Sequence, residues 1–274
     1  MPELPEVETI VADLRPLLAG ESIVRTRLAF PGIVRHPSPE LFVAGTEGRR
    51  IRSLTRRGKY ILAGFDADDL LVVHLGMTGR LGVASAAAPC ALHTHAVFEL
   101  AGGGELRYSD PRRFGRLLLG GAEELARLGK LPRLGPEPLD PAFTARDLGA
   151  RLAGRRAPLK AVLLDQAVLA GVGSIYADEA CFRAGVRPDR AAGRVGPRRV
   201  ARLHGALRET LREAIGNRGS SVSDYVDGHG EPGTQQERLL VYGRAGRPCA
   251  ACGRPLRSGR AGGRSTVYCS RCQR

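Results

Sequence analysis

The first residues of the chain carry groups that could do covalent chemistry. If Met1 is removed, which the small Pro2 permits, the chain begins with a secondary amine. An unprotonated amine attacks carbonyl-like carbons and forms a Schiff base. A free α-amino group has a pKa of about 7.7–8, so little adjustment is needed near neutral pH. Glu3 follows directly, and a carboxylic acid beside a nucleophile is a candidate general acid. The alternative is an N-terminal cap with a solvated acidic turn.

A helix is predicted directly behind this amine. Apolar residues recur at helical spacing from Val7 to Leu18, Pro5 suits the first helical position, and Gly20 is a stop signal. The positive end of this helix would point toward the amine and lower its pKa. The helix is therefore the element that positions the candidate nucleophile.

The overall charge indicates a polyanionic partner. The chain has 274 residues, enough for two or three domains, with 42 Lys and Arg against 28 Asp and Glu. This excess of positive charge is typical of nucleic-acid binding. Only Lys59, Lys130 and Lys160 are lysines, and amine chemistry is one reason to retain a lysine among arginines. Because no apolar run is long enough to cross a bilayer and the N-terminus is not a signal peptide, we expect a cytoplasmic protein.

Residues 22–110 predict a β-sandwich or a barrel, because short β-like runs alternate there with Gly, Pro and Asp. Examples of these runs are Ile23–Phe30, Ile51–Leu54, Tyr60–Phe65, Leu70–Leu75, Ala96–Leu100 and Glu105–Ser109.

Three loops of this half could contact nucleic acid. One carries the basic cluster 56–60, and a second holds Met77 between glycines. The third, Asp110–Gly115, pairs two arginines with Phe114. An exposed Met, Arg and Phe on neighbouring loops could wedge into a base stack. The alternative is that Met77 and Phe114 close a small core and the charges are solvated.

The second half is predicted to be helical. The Pro-rich stretch 131–138 predicts a domain boundary. The predicted helices that follow are Thr144–Leu152, Ala157–Leu169, Ser174–Ala184 and Pro197–Ile215. The turn 171–174 ends in Gly173 and Ser174 and opens a helix, which suits a phosphate, although an ordinary turn between two helices fits equally well.

The last segment predicts a metal site. Cys249 and Cys252 form one CxxC pair, and Cys269 and Cys272 form a second after a sixteen-residue spacer. This spacing is typical of a tetrahedral zinc site on a β-hairpin, with one structural Zn²⁺. Disulfides are the alternative, and an intracellular chain disfavours them.

Four stretches together resemble the formamidopyrimidine-DNA glycosylase family, and the resemblance runs from residue 2 to residue 273. They are Pro2–Thr9, Asp110–Gly115, Gly171–Glu179 and the terminal four-cysteine finger. The resemblance implies an α+β multidomain protein with an N-terminal β-sandwich, a helix–two-turn–helix domain and a zinc finger. We expect these domains at residues 1–133, 134–235 and 236–274. The same resemblance also implies a DNA glycosylase and AP lyase of base excision repair that removes 8-oxoguanine and formamidopyrimidines from duplex DNA.

The same resemblance implies roles for four residues in the reaction. Pro2 is similar to the nucleophile that attacks C1′, and Glu3 to its acid and base partner. Lys59 resembles the group assigned to β-elimination. Arg264 resembles the finger-tip arginine tied to phosphate binding and δ-elimination, where a permanently charged guanidinium helps electrostatically.

Further residues resemble the DNA-binding positions of the family. Met77, Arg112 and Phe114 resemble the triad that fills the gap left by an everted nucleotide. The remaining positions are His74, His93, Arg155, Gly173 and Ser174.

The chain departs from the family pattern at two positions, and other functions stay open. Ser174 stands where the family usually has asparagine, and Ser223 stands where it has a lysine near the damaged base. The alternatives are an oxidised-pyrimidine glycosylase of the endonuclease VIII type and a non-catalytic protein that binds damaged DNA. We expect a monomer associated with the bacterial nucleoid and no membrane partner.

Overall fold

The computed structural model describes the backbone of residues 1–274 and every side chain except that of Ala67. The chain forms two compact units. Unit 1 comprises Met1–Arg133 and Asn217–Thr234, and unit 2 comprises Leu134–Gly216 and Gln235–Arg274. The expected three-part division at residues 133 and 235 stays a prediction.

Unit 1 consists of two β-sheets with helices. Its helices are α1 (Leu4–Leu18), α2 (Pro39–Thr46) and α3 (Ala122–Arg127). Its strands are β1 (Ile23–Leu28), β2 (Val34–His36), β3 (Ser53–Arg57), β4 (Tyr60–Gly64), β5 (Asp69–His74), β6 (Arg80–Ser85), β7 (Thr94–Leu100), β8 (Gly104–Ser109) and β9 (Arg116–Gly121). One sheet has the order β1-β7-β8-β6 and the other β2-β9-β5-β4-β3. Only the β2–β9 pair is parallel among the described strands.

The two sheets of unit 1 share one core. Ile23 and Phe98 come from the four-stranded sheet, Ile61 and Val73 come from the five-stranded sheet, and all four pack in the same buried cluster. The apolar face of α1 joins this cluster, as its spacing predicts. Side chains of two inner faces that interdigitate define a sandwich, so the predicted N-terminal β-sandwich is confirmed.

Unit 2 consists of helices and a C-terminal hairpin. The helices are α4 (Ala145–Leu152), α5 (Leu159–Leu164), α6 (Ser174–Ala184) and α7 (Pro197–Gly216), and the strands are β10 (Arg257–Ala261) and β11 (Arg264–Tyr268). Thr144 caps α4 and accepts from the Asp147 N–H, which is the local signal that begins this helix. The predicted helical region and the hairpin are confirmed. Among the described helices, none is long and apolar enough to cross a membrane.

Several predicted elements have different limits in the structure. The helix predicted at Ala157–Leu169 is wrong beyond Leu164, because Asp165 has an extended backbone conformation, with φ −69° and ψ 109°, and ends the helix. The apolar residues that follow are buried in a loop, which periodicity alone cannot separate from a helix. The strand predicted from Ile51 begins at Ser53. The sequence prediction also missed β9, which lies centrally between β2 and β5.

Candidate functional site

The proposed reactive residues of unit 1 lie at the beginning of α1. Pro2 is buried, and Glu3 is 4% exposed and is the N-cap of the helix. The Glu3 N–H donates to Glu6 Oε2 at 2.8 Å. The two glutamates therefore fix the direction in which the chain enters the helix.

Charged groups surround the N-terminal amine. Burial lowers the pKa of the Met1 ammonium, Glu3 and Glu6 oppose this effect, and Lys59 and Arg112 add to it. The net result is a pKa below its ordinary value, so this environment favours the neutral amine. The unprotonated form of an amine is the nucleophilic one.

Lys59 occupies a tight turn beside this helix. Residues 58 and 59 connect β3 to β4, with Arg57 paired to Tyr60. The Arg56 guanidinium donates to the Glu8 carboxylate at 2.7 Å and so ties the turn to α1. Lys59 is only 6% exposed, which separates it from an ordinary solvated lysine.

His74, at the end of β5, is a neutral imidazole. Burial first, and then the charges of Arg116 and Lys59, lower its pKa to about 4. Its Nδ1 accepts the N–H of Gly76 at 3.2 Å, so the ring proton resides on Nε2. His74 can therefore donate one hydrogen bond to an anion but carries no charge at pH 7.

The predicted wedge residues are exposed. Met77 is 40% exposed and Phe114 is 52% exposed, which excludes the alternative that they close a small core. The Arg112 guanidinium lies 4.8 Å from the centre of the Phe114 ring, within cation–π distance. His93 is also exposed, and its backbone has a φ of 65°. The carbonyl of His93 accepts the Asp110 N–H.

Asp110, to which the sequence alone gave no separate role, connects the loop of Met77 to the loop of Phe114. Its carboxylate is fully buried and accepts from Thr78 Oγ1 at 2.5 Å and from the Gly115 N–H at 2.8 Å. The Tyr108 hydroxyl donates to the same carboxylate at 3.3 Å. A Cβ at position 115 would lie 1.6 Å from that hydroxyl, so only glycine fits there. The loops of Met77 and Phe114 thus depend on one buried carboxylate.

In unit 2, the turn before α6 is shaped by Gln166. Its Oε1 accepts the Gly171 N–H and its Nε2 donates to the Val172 carbonyl. Gly173 is the N-cap of α6, Ser174 is the first helical residue, and no acidic side chain occurs in that first turn. A glycine-capped helix start of this kind suits a phosphate.

Arg155 lies on a neighbouring loop of the same unit. Its side chain is exposed, and its Nε–H donates to the Arg151 carbonyl at 2.9 Å. The guanidinium is 3.8 Å from the Asp165 carboxylate, which is a weak solvent-exposed pair. The charge of Arg155 therefore stays accessible to an anionic ligand.

The four predicted zinc ligands lie together in unit 2. The sulfur atoms of Cys249, Cys252, Cys269 and Cys272 all lie within 4.8 Å of one another. The Cys252–Cys269 sulfur distance of 3.5 Å excludes a disulfide and is near the roughly 3.8 Å that tetrahedral Zn–S bonds of 2.3 Å require. The Cys272 N–H points to the Cys269 sulfur at 3.5 Å. The donor set therefore fits one structural Zn²⁺, as predicted.

Arg264 lies at the exposed tip of the finger hairpin. Gly262 and Gly263 form the turn with φ values of 59° and 76°, conformations that glycine adopts at low cost. Just beyond the tip, the buried Lys160 ammonium donates to the Ser265 carbonyl at 2.6 Å and to Asp178 at 2.8 Å. The arginine thus projects from a hairpin that is anchored to the helices of its unit.

Comparison with known proteins decides the family. The formamidopyrimidine-DNA glycosylase N-terminal domain matches residues 1–117, the H2TH domain of the same enzyme matches residues 134–226, and the zinc finger found in FPG and IleRS matches residues 246–274. The chain belongs to the formamidopyrimidine-DNA glycosylase family. A formamidopyrimidine-DNA glycosylase of Moorella thermoacetica is 55% identical over 256 residues, which cover 93% of each chain.

Solved structures of the family have the same fold. Lactococcus lactis Fpg in complex with DNA containing an abasic site has a TM-score of 0.91 at 32% identity and covers 99% of each chain. The Lactococcus lactis enzyme with Fapy-dG DNA has a TM-score of 0.90 at 31% identity and covers 99% of this chain and all of that one. The predicted membership of this family and the predicted fold class are both confirmed.

The structure also identifies residues that the sequence analysis missed. Glu6 and Gln166 connect backbone groups at the two helix starts, and Asp110 connects the wedge loops. A signal for Glu6 was present, since a glutamate three residues after the N-cap is one half of the capping-box pattern. Asp110 and Gln166 have no such signal, because their partners are set by loop packing.

Proposed function

We propose that this chain is a DNA glycosylase and AP lyase that excises oxidised purines through a Schiff base on Pro2. The observation that carries this proposal is the position of Pro2, which is buried directly before Glu3 at the start of α1. The Met1 amine, one residue earlier, lies where burial and the charges of Lys59 and Arg112 lower its pKa. Membership of the formamidopyrimidine-DNA glycosylase family supports the same chemistry. The known structures of relatives with Fapy-dG DNA and abasic DNA support the substrate class.

The proposed reaction begins when the Pro2 nitrogen, freed of Met1, attacks C1′ of the damaged nucleoside. The base leaves with the electrons of the glycosidic bond, and Glu3 protonates the sugar oxygen as the ring opens. The resulting iminium makes the C2′ proton acidic. Its removal expels the 3′ phosphate, and a second elimination expels the 5′ phosphate. Lys59 and Arg264 are proposed to stabilise the departing phosphates as fixed positive charges.

The DNA contacts are divided between the two units. In unit 1, Met77, Arg112 and Phe114 are proposed to fill the gap left by the everted nucleotide, with His74 and His93 at the backbone. In unit 2, the proposed phosphate ligands are Arg155, Gly173 and Ser174. All of these residues belong to one chain, so we propose that the protein acts as a monomer, in the cytoplasm where bacterial DNA is located.

A cross-linking experiment with three lesions tests this function. Duplexes with 8-oxoguanine, formamidopyrimidine or thymine glycol are incubated with the protein and borohydride, which reduces an iminium to a stable amine. We expect covalent complexes and strand cleavage with the two purine lesions. Preference for thymine glycol would indicate an oxidised-pyrimidine enzyme instead. Binding of every lesion without any cross-link would indicate a non-catalytic protein.

Substitution of Asp110 by asparagine should impair the insertion of Met77, Arg112 and Phe114 into the DNA base stack. Thr78 and Gly115 donate to different oxygens of Asp110, so the new NH2 group faces one of these two donors, and a donor left unsatisfied costs about 1–3 kcal/mol. Because extruding a base costs a few kcal/mol, we expect excision from duplex DNA to fall about tenfold to a hundredfold. The measurement is the single-turnover excision rate of 8-oxoguanine in a duplex.

Two comparisons show whether the effect belongs to the wedge. Cleavage of an abasic site in single-stranded DNA needs no extrusion and should be affected much less. Asp66→Asn removes an exposed carboxylate of the same unit that pairs with Arg52 and should leave both rates unchanged. Equal losses on duplex and single-stranded DNA would contradict a wedge-specific role for Asp110.

A further inference from the structure

The segment Asn217–Thr234 of unit 1 is an irregular loop with closely spaced ends. The Thr234 N–H donates to the Asn217 carbonyl at 2.9 Å and closes the loop. Its tip, residues 222–224, is exposed, and Val222 is 51% exposed. An exposed tip on a closed loop needs internal anchors if it is to hold one position.

Arg218 supplies such an anchor. It has a φ of 59°, a left-handed conformation that a long side chain adopts only when its surroundings stabilise it. Its guanidinium pairs with the carboxylate of Asp227 within the loop and with that of Asp13 on α1 at 2.6 Å. The Asp13 and Asp227 side chains are 8% and 1% exposed, so both carboxylates are withdrawn from solvent.

The two carboxylates also accept from the backbone of the loop. Asp13 accepts the Gly228 N–H at 3.0 Å, and Asp227 accepts the N–H groups of His229 and Glu231 at 2.9 Å. Burial tends to raise the pKa of Asp227, but these hydrogen bonds and the Arg218 guanidinium hold it below its usual range. The network therefore joins both halves of the loop to α1.

The turn of residues 219–225, which follows Arg218, lies next to the proposed reactive residues at the N-terminus. Glu6 accepts the Ser220 N–H through Oε1 at 2.8 Å and the Glu3 N–H through Oε2 at 2.8 Å. One buried carboxylate thus separates the turn from Glu3. The Tyr225 hydroxyl donates to the Arg218 carbonyl at 3.1 Å and completes the turn.

We propose that Arg218, with Asp13 and Asp227, is a positioning residue that sets the turn 219–225 against the base to be excised. The proposal rests on the function proposed above. The anchor should matter for base excision only, because excision involves a base and cleavage of a preformed abasic site does not. Loss of the anchor should therefore affect only the first activity.

The test compares Arg218→Gln with wild type on two duplexes, one with 8-oxoguanine and one with a preformed abasic site. A misplaced contact of about 1 Å can cost up to about a hundredfold, so we expect the single-turnover excision rate to fall at least about tenfold and abasic cleavage to change less than about twofold. Arg218→Lys keeps the charge and should recover part of the excision rate. Amide hydrogen exchange at Ser220 and Gly228 should accelerate in the glutamine variant.

A matched control is Arg52→Gln, which removes one charge and one ion pair with Asp66 elsewhere in unit 1. It should leave both activities at the wild-type level. Equal losses of excision and abasic cleavage in Arg218→Gln, or no loss of either, would overturn the proposal. A wild-type protein that does not excise 8-oxoguanine would instead overturn the proposed function.

Discussion

A protein whose Pro2 nitrogen is blocked by an uncleaved N-terminal extension is expected to lose both borohydride cross-linking and base excision. In such a protein the nitrogen belongs to an amide, whose lone pair is delocalised and cannot form an iminium. Loss of a covalent nucleophile should lower the single-turnover excision rate by at least about 10³-fold. The measurements are the cross-linked fraction and the excision rate with an 8-oxoguanine duplex, after mass spectrometry has established which residue begins each protein.

The matched control carries the same additional residues after Arg274, where they leave Pro2 unchanged. This protein should cross-link like wild type. Both proteins should bind a duplex with a stable abasic-site analogue, which verifies that the extension leaves the fold intact. Cross-linking that survives the N-terminal block would contradict the role of Pro2 and would indicate the amine of Lys59 as the nucleophile.

Removal of the zinc ion is expected to unfold the finger and to weaken DNA binding strongly. Cys249 and Cys269 lie in a small cluster with Leu256 and with Phe182 of α6, too few apolar groups to hold the hairpin without metal. Zinc binding contributes about 10–16 kcal/mol in peptides of this type, more than the whole stability of many domains. Arg264 would lose its ordered platform, so we expect DNA affinity to fall at least about tenfold, as for one lost hot-spot contact.

The variant Cys249→Ser tests this without a chelator. Metal content, far-ultraviolet circular dichroism and the dissociation constant for lesion DNA are measured together. Cys90→Ser is the matched control, because Cys90 is exposed and lies outside the four-cysteine cluster. The control should bind one zinc ion and DNA as wild type does. Full DNA affinity in a Cys249→Ser protein that is shown to lack zinc would contradict the expectation.

Local patterns predicted a large part of this protein. The helix behind Pro2, the helix that begins near Thr144 and the CxxC pairs are set by groups only a few residues apart. The energetics of such groups depends on the helical period, on capping or on ligand spacing, all of which are visible in a sequence. The elements predicted less well were those whose pattern is ambiguous, such as the short helix α5 and the central strand β9.

The residues that hold the candidate site together could not be predicted in this way. Asp110 accepts from Thr78, which is 32 positions away, and Glu6 accepts from Ser220, which is 214 positions away. Arg218 is one of many arginines, and nothing in its neighbours distinguishes it. Their partners become neighbours only when the loops pack. The sequence therefore allows many possible hydrogen-bond partners for each of these side chains.

The sequence by itself identified the candidate reactive group and the metal-binding groups, because a proline exposed by loss of Met1 and paired cysteines carry their chemistry wherever the chain places them. Only the tertiary structure decided how these groups are oriented. Burial withdraws water from Glu6, Asp110 and Asp227, and a buried carboxylate must find donors to stay charged. Those donors come from residues distant in the sequence, and that requirement fixes the positions of the loops that contain them.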